Sequence, residues 1–162
     1  MKKKQIINLG IIFILFLLDR LSKIFIINFN ESNEQINITV TSFLNLKLIW
    51  NEGIAFGLLS FEDQFSYNLI TLIIVFVILI LFIMLNRAER LNRFAIIMVL
   101  GGALGNLFDR IFYSAVPDFV EIYYKSFHWF IFNVADIFIT FGVFCLIYVE
   151  LISKDKSNEK NL

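Results

Sequence analysis

Residues 67–85 read YNLITLIIVFVILILFIML and contain no charged side chain. A helix of about 20 apolar residues crosses the hydrocarbon core of a bilayer, so this stretch predicts a transmembrane helix. Three more stretches, at residues 6–28, 94–112 and 132–152, have the length and apolar character for the same role. The sequence therefore predicts a membrane protein with an all-α core of four transmembrane helices.

The composition of the whole chain excludes a soluble globular domain. Of the 162 residues, 59% are hydrophobic and 17% are charged, and the mean hydropathy is +0.78. An average soluble domain is roughly 45–50% apolar and about 25% charged. The 14 basic and 14 acidic residues balance, which gives no support to a nucleic-acid partner. The single Cys excludes an internal disulfide framework. We expect residues 1–162 to form one integral membrane domain.

The basic residues orient the four spans. Most of them fall on one side of a four-span chain, and the opposite segments hold only Lys47 and Lys125. Because cytoplasmic loops are enriched in Lys and Arg, both termini are predicted to be cytoplasmic, and residues 29–66 and 113–131 to face outward. Residues 153–162 are expected to be a frayed tail. The cytoplasmic set consists of Lys2, Lys3, Lys4, Arg87, Arg90, Arg93, Lys154, Lys156 and Lys160.

The outward segments carry the period of two that is typical of β-strands. Apolar residues alternate with polar ones over residues 36–41 and 44–48, and a second alternation covers residues 118–131. These patterns predict a small outward-facing sheet or hairpin region. Residues 55–65 are expected to form a short helix lying flat on the membrane surface.

Charged residues interrupt the predicted spans, although a charge near the middle of a lone membrane helix costs roughly 2.5–3.5 kcal/mol. Asp19 and Lys23 stand four residues apart on one helix face, so they can pair with each other or with a neighbouring helix. Asp109 lies near the end of the third span, where the helix dipole disfavours an anion. Arg110 or Lys23 can supply its partner. We interpret Asp19, Lys23 and Asp109 as a polar scaffold.

Two further carboxylates are predicted to lie together at the outer surface. Asp118 follows the third span beside the only Pro, and its simplest role is in a turn. Asp136 opens the fourth span, and its simplest role is in a helix cap with Asn133. Because the third span runs outward and the fourth inward, both aspartates lie at similar depth. Two close carboxylates keep one proton between them, so one can take a proton from water while the other polarises a carbonyl group.

Other sites have less support in the sequence. His128 is the only His, and it lies among aromatic residues typical of a membrane interface. Cys145 lies within an apolar span and is expected to pack there. The alternative function is a small transporter or channel with a proton or cation path through Asp19, Asp109 and Asp136. A transporter usually has its polar site near the midplane and shows internal symmetry, whereas these residues lie toward the outer side.

Five motifs resemble, in order, those of the bacterial lipoprotein signal peptidase (signal peptidase II) family. They are DRLSK at 19–23, NEGIAF at 51–56, GGALGNLFDR at 101–110, VPDF at 116–119 and FNVAD at 132–136. Each motif is weak alone, but the five together agree with the four-span layout. One departure is Pro117, where the family tends to have a β-branched residue, and this residue can alter the backbone that leads to Asp118.

The resemblance implies a membrane aspartyl endopeptidase that removes signal peptides from prolipoproteins on the amino side of a diacylglyceryl-modified cysteine. It implies Asp118 and Asp136 as the catalytic pair, and it implies no metal or cofactor. By the same motif match, the residues that shape the pocket or hold the substrate are Asn51, Gly53, Asn106, Arg110 and Asn133. The residues that support them are Asp19, Lys23 and Asp109.

The expected partners are lipid-modified prolipoproteins and membrane lipids, and no nucleic acid. The expected location is the bacterial cytoplasmic (inner) membrane, with several crossings and the active site at the outer face. We expect the protein to be a monomer.

Overall fold

The computed structural model describes residues 3–32, 37–53, 64–125 and 127–158. Four helices and four strands occur in these ranges, as the hydropathy and the alternating segments predict. In chain order they are α1 (Lys3–Ser32), β1 (Asn37–Thr41), β2 (Leu44–Asn51), α2 (Gln64–Arg87), α3 (Arg90–Tyr113), β3 (Val116–Tyr124), β4 (Phe127–Phe132) and α4 (Val134–Asn158).

Three of the described helices are long and apolar enough to cross a membrane, namely α2, α3 and residues 134–152 of α4. α2 exposes large apolar side chains such as Leu72, Phe76 and Ile83, which is typical of a surface in contact with lipid. α1 contains 30 residues, but it does not belong to this set of three. The fourth crossing and the side on which the termini lie therefore stay predictions.

α3 is the central helix of the bundle, since it packs against α1, α2 and α4. In an apolar stretch of 18 residues of α3, 61% of the residues are buried, compared with 11% in such a stretch of α2 and 17% in one of α4. Ala95, Ile96 and Leu100 on α3 are almost inaccessible to solvent. The positions of the other three helices therefore depend on the surface of α3.

Glycines on α3 allow its neighbours to approach closely. The four-residue spacing of Gly101 and Gly105 is typical of such a helix contact. A Cβ atom on Gly101 would lie 2.5 Å from the Cβ atom of Leu15 on α1. A Cβ atom on Gly102 would overlap the carbonyl oxygen of Ala135 on α4. The close contacts of α3 with α1 and α4 thus require residues without side chains.

The segments predicted to face outward form one antiparallel sheet in the order β1–β2–β3–β4. β2 pairs with β3, so that Ile49 lies opposite Asp118 and Asn51 lies opposite Val116. β4 pairs with β3 from Val120 onward. The sheet therefore brings the segment after α1 alongside the segment after α3, and it leads directly into α4.

The turn from α3 into β3 positions Asp118. α3 ends at Tyr113, and Ser114 adopts a left-handed conformation with φ of 55°, which turns the chain out of the helix. Pro117 lies opposite Trp50 of β2. Pro has no N–H group for a β-ladder, but here it stands near the start of β3, before the pairing with β4 begins. The strand therefore continues through Pro117 to Asp118.

The helices α1, α2 and α3 extend one to four residues beyond each end of the predicted spans, and both boundaries of α4 also differ. α4 begins at Val134, two residues later than predicted, because Phe132 is the last residue of β4. α4 also continues to Asn158 into the predicted tail, since no Gly or Pro interrupts this part of the chain. Residues 159–162 lie outside the described ranges, as does most of the surface helix predicted over residues 55–65.

The substitution Gly102→Ala tests the close contact between α3 and α4. We expect a loss of stability of about 1–3 kcal/mol, the usual cost of overpacking a close-packed core, measured by thermal unfolding in detergent. The matched control is Gly10→Ala on α1, because a Cβ atom at Gly10 meets nothing within 4 Å. Helix propensity alone predicts that this control gains up to about 1 kcal/mol. Equal stabilities of the two variants would contradict the described packing.

Candidate active site

Asn133 connects the two aspartates that the sequence predicts to lie together. It is the single residue between β4 and α4, and it is fully buried. Its side-chain Nδ2 donates a hydrogen bond to Asp118 Oδ1 at 2.5 Å, and its backbone N–H donates to Asp136 Oδ2 at 3.2 Å. The structure therefore brings Asp118 and Asp136 into one site at the junction of the sheet and the helices.

Asp118 is also held from β2. The Asn51 side chain donates through Nδ2 to Asp118 Oδ2 at 2.8 Å. Burial of the carboxyl and, after it, the negative charge of Asp136 raise the pKa of Asp118 to about 6, while the hydrogen bonds from Asn51 and Asn133 act in the opposite direction. Asp118 therefore keeps a proton at pH values where an ordinary Asp is ionised.

Asp136 lies in the first turn of α4, where free backbone N–H groups and the helix dipole favour an anion. Its Oδ1 accepts a hydrogen bond from Asn106 Nδ2 of α3 at 2.8 Å. Its backbone N–H donates to Asn133 Oδ1 at 3.1 Å, which completes the reciprocal cap predicted for this helix start. Asp136 thus belongs to the helix cap and to the aspartate site at the same time.

A buried ion cluster lies next to the aspartate site. The Lys23 ammonium is inaccessible to solvent, and its Nζ lies 2.8 Å from Asp19 Oδ2 and 2.7 Å from Asp109 Oδ2. Lys23 Nζ donates a third hydrogen bond, to Asn106 Oδ1 at 2.8 Å. An ammonium group has three donors, so its capacity is fully used. Lys23 thus pairs within α1 and with α3, the two possibilities that the sequence left open.

Asp109 has Lys23 and Arg20 as its cationic partners. Arg20 Nη2 lies 2.6 Å from Asp109 Oδ1, and the Arg20 guanidinium also lies over the ring of Phe108. Arg110, the other candidate partner, is directed elsewhere: its Nη2 donates to the Gly53 carbonyl at 2.8 Å. The structure therefore selects Lys23 over Arg110, and it adds Arg20, which the sequence did not assign to Asp109.

The ion cluster orients groups around Asp136. Because Asn106 Oδ1 accepts from Lys23, the amide presents its Nδ2 to Asp136. Asp19 Oδ1 accepts from the backbone N–H of Ala135 at 3.0 Å, in the first turn of α4. Asp19 thus binds the backbone next to Asp136, and Lys23 orients the amide that donates to the Asp136 carboxylate.

Arg110 and Gly53 orient Asn51 in a similar way. Arg110 binds the carbonyl of Gly53, and the N–H of Gly53 donates to Asn51 Oδ1 at 2.9 Å. With its oxygen bound to Gly53, Asn51 presents Nδ2 to Asp118. Arg110 Nη1 also donates to the backbone carbonyl of Asn106 at 3.4 Å. All five predicted pocket residues therefore contact one of the two aspartates or a residue that does.

Among the residues that the structure describes, asparagine amides are the side-chain donors to both carboxylates. Neutral donors hold a carboxylate in place, but they stabilise its charge less than an adjacent Lys or Arg would. The site can therefore exchange a proton without breaking an ion pair. Across the described ranges, no group of three or more His, Cys, Asp or Glu side chains is placed to hold a metal ion.

The two aspartates line different cavities. Asp118 lines a cavity of about 430 Å³ between the end of β2 and β4, which we call the outer cavity. Asp136 lines a groove of about 470 Å³ between α2, α3 and α4, which we call the helix groove. The walls of the helix groove are mostly Ile, Val and Leu, with Asn106, Arg110 and Thr140 as further polar residues. The aspartate site thus lies where a cavity of mixed polar and apolar lining meets an apolar groove.

The sequence analysis missed a second buried carboxylate on β3. Glu121 is 4% exposed, and its Oε1 lies 2.9 Å from His128 Nδ1 on β4. Its Oε2 accepts a hydrogen bond from Asn45 Nδ2 on β2 at 3.0 Å. The alternating pattern identifies the strand, but the burial of Glu121 depends on the neighbours that β2 and β4 supply. His128, expected only as an interface residue, belongs to this polar group.

Comparisons with known sequences agree over nearly the whole chain. Residues 11–152 match the family model described as signal peptidase (SPase) II. A lipoprotein signal peptidase of Pelagibacter ubique (strain HTCC1062) is 48% identical over 98% of this chain and 96% of the relative. A lipoprotein signal peptidase of Rickettsia bellii (strain OSU 85-389) is 38% identical over 93% of this chain and 77% of the relative.

Two solved structures have a similar fold. One, described as a bacterial membrane enzyme determined by the in meso method at 2.3 Å resolution, has a TM-score of 0.68 and 29% identity over 93% of this chain and 90% of that chain. The second, with the same description at 1.9 Å, has a TM-score of 0.63 and 28% identity, and covers 89% of this chain and 92% of its own. The family model and the relatives together show that this chain belongs to the signal peptidase II family.

Proposed function

We propose that this protein removes signal peptides from prolipoproteins by aspartate catalysis, cutting on the amino side of a diacylglyceryl-modified cysteine. The observation that carries this proposal is the arrangement of Asp118 and Asp136, linked by Asn133 where the outer cavity meets the helix groove. The names of the relatives, lipoprotein signal peptidases, support the class of substrate.

A lipid-modified precursor has two parts of opposite polarity, and each matches one of the two spaces. The signal helix and the acyl chains are apolar and fit the helix groove, whose walls include Ile74, Ile78 and Val99. The polar chain that follows the cysteine fits the outer cavity. The peptide bond between these two parts then lies beside Asp118 and Asp136.

The two carboxyl groups supply the acid and the base for hydrolysis. With one proton between them, the ionised carboxylate takes a proton from water, and the water oxygen attacks the carbonyl carbon. The protonated carboxyl donates to the carbonyl oxygen and stabilises the charge that develops there. The intermediate collapses when the leaving nitrogen receives a proton and the C–N bond breaks. Asn51, Asn106 and Asn133 hold the carboxylates during these steps.

The polar residues of the bundle are poorly suited to the alternative of an ion or proton path. Asp19 and Asp109 are fixed in ion pairs with Lys23, whose three donors are all used. Groups along a path must instead exchange partners as the ion passes. The family to which the chain belongs does not favour a transporter either.

We also propose four crossings, cytoplasmic termini and an aspartate site at the outer face of the bacterial cytoplasmic (inner) membrane. α1 can cross the membrane in spite of its charges, because Asp19, Arg20 and Lys23 are all buried against the bundle. The enzyme would act as a monomer surrounded by membrane lipids.

The substitutions Asp118→Asn and Asp136→Asn test the aspartate mechanism. Each amide keeps the approximate shape of the side chain but cannot act as a general base, so we expect each variant to lose on the order of 10²- to 10⁴-fold in turnover. The double variant should be little worse than either single one, because the two groups act as a unit. The measurement is conversion of a diacylglyceryl-modified precursor on a gel, with purified protein in detergent.

The control for these variants is Glu89→Gln, which removes an acid at the cytoplasmic end of α3, where Glu89 makes no side-chain capping hydrogen bond. It should retain full turnover. Binding of the precursor by the Asp variants shows whether they are folded. Substantial turnover by either folded Asp variant would disprove the two-aspartate mechanism.

The raised pKa of Asp118 predicts the alkaline side of the pH profile. In the free enzyme Asp118 loses its proton near pH 6, so kcat/KM should fall above that pH as both carboxylates become ionised. Asn51→Ala removes a donor that favours the ionised form. It should raise the pKa of Asp118 and move the alkaline limb upward by about 0.5–1 pH unit. Asn86→Ala, near the cytoplasmic end of α2, should leave the limb in place, and a downward shift in Asn51→Ala would refute this assignment.

Reporter fusions test the proposed topology. Fusions at both termini and within residues 86–92 should report the cytoplasm, whereas fusions within residues 30–62 and 113–131 should report the outside, as the distribution of Lys and Arg predicts. An outward terminus would place the aspartate site on the cytoplasmic side, where precursors that have already been exported are out of reach.

A further inference from the structure

The outer cavity extends beyond the aspartate site along the sheet. Besides Asp118, its lining includes Glu121 on β3 and His128 on β4, with Glu52 after β2. No Lys or Arg occurs among the described residues that line it, and Trp129 contributes to its apolar wall. The space next to the reacting carboxyls is therefore acidic and open to a polar chain.

Glu121 is charged in spite of its burial. Burial alone raises the pKa of its carboxyl, but hydrogen bonds from Asn45 and His128, together with the positive charges of Lys47 and of His128 when its ring is protonated, more than compensate, so the pKa lies below its ordinary value. A carboxylate offers about four lone-pair positions, and the two bonds from Asn45 and His128 occupy two of them. With respect to the residues that the structure describes, Glu121 thus retains acceptor capacity and a negative charge.

His128 is held in a defined orientation. Its ring stacks on Tyr123, with the ring centroids 5.9 Å apart and the planes at 22°. Because Nδ1 faces the Glu121 carboxylate, the neutral ring carries its hydrogen there and presents Nε2 as an acceptor. The side chain is 61% exposed, so a ligand in the outer cavity can reach it. Together the two residues present acceptors and no positive charge while His128 is neutral.

The spacing along β3 relates this pair of residues to the cleavage point. Asp118 and Glu121 are three residues apart on β3, about 10 Å at roughly 3.3 Å per residue, so their side chains leave opposite faces of the strand. Both residues nevertheless line the outer cavity. An extended substrate chain that leaves the aspartate site along the sheet covers this distance in about three residues. The helix groove accommodates the apolar signal helix, so the chain in the outer cavity is the one that follows the cut.

We propose that Glu121 and His128 form a specificity-determining subsite for a basic or hydrogen-bond-donating side chain about three residues downstream of the cleaved bond. This inference rests on the proposed function and deepens it. An amine or guanidinium group at that position pairs with the Glu121 carboxylate, and a hydroxyl or amide donates to it or to His128 Nε2. A carboxylate side chain at the same position faces the negative charges of Glu52 and Glu121 and is disfavoured.

The first test compares diacylglyceryl-modified precursor peptides that carry Lys, Ser or Glu at the third residue after the cut. We expect kcat/KM to be roughly tenfold higher for Lys than for Glu, with Ser between them, as for a hydrogen bond to a charged group. The same three residues placed ten positions after the cut, beyond the reach of the subsite, should give equal rates. Equal rates at the third position, a preference for Glu there, or the same preference at the tenth position would each overturn the proposal.

The second test changes the protein. Glu121→Gln keeps the size of the side chain and removes its charge, so the Lys-to-Glu ratio should fall toward one. The matched control is Glu31→Gln, an exposed acid near the outer end of α1, which should retain the tenfold ratio. A Glu121→Gln protein that keeps the full ratio would overturn the subsite. If that variant does not fold, the peptide series on the unchanged protein decides alone.

Binding separates failure of the subsite from failure of the proposed function. Asp136 does not line the outer cavity, so Asp136→Asn should bind the Lys peptide roughly tenfold more tightly than the Glu peptide. Selective binding without any cleavage by the unchanged protein would disprove the proposed function and support the subsite. Cleavage without selectivity in rate or binding would support the proposed function and disprove the subsite.

Discussion

A single buried ammonium group determines how the helices are arranged at the end of the bundle next to the sheet. Lys23 is removed from water, and a buried charge is stable only when close partners compensate it. Its partners are Asp19 on the same helix and Asp109 and Asn106 on α3. Asp19 in turn accepts from the backbone at the start of α4. Charge compensation around Lys23 therefore fixes three helices relative to one another. Asn106, which Lys23 orients, donates a hydrogen bond to Asp136.

The glycines of α3 provide the space that these ion pairs require. A Cβ atom on Gly105 would collide with the Asp19 carboxylate, as one on Gly102 would with α4. The ion cluster can therefore form only where α3 lacks side chains. Apolar packing of Ile96 and Leu100 stabilises the same helix further from the site. Because these contributions coincide on α3, the aspartate site can be rigid although much of the bundle surface faces lipid.

The helices and the strands could be predicted because their signals are local. Apolar length identified all four helices, and the period of two identified the strands. The meeting of Asp118 and Asp136 followed from topology, since consecutive antiparallel spans return both residues to one depth. What hydropathy and spacing do not contain is the register of the sheet and the orientation of amides. The bridging role of Asn133, the selection of Lys23 over Arg110 and the burial of Glu121 all depend on these long-range contacts.

The link between β4 and α4 consists of one residue, and this has a mechanical consequence. Asn133 contacts both carboxylates while it joins the last residue of the sheet to the first residue of the helix. Because no other residue separates these two elements, a displacement of the sheet relative to the helices also displaces the amide that lies between the two carboxylates. The sheet and the helix bundle must therefore move as one body for the site to keep its geometry. A longer connection would relieve that coupling, and it would also uncouple the two aspartates.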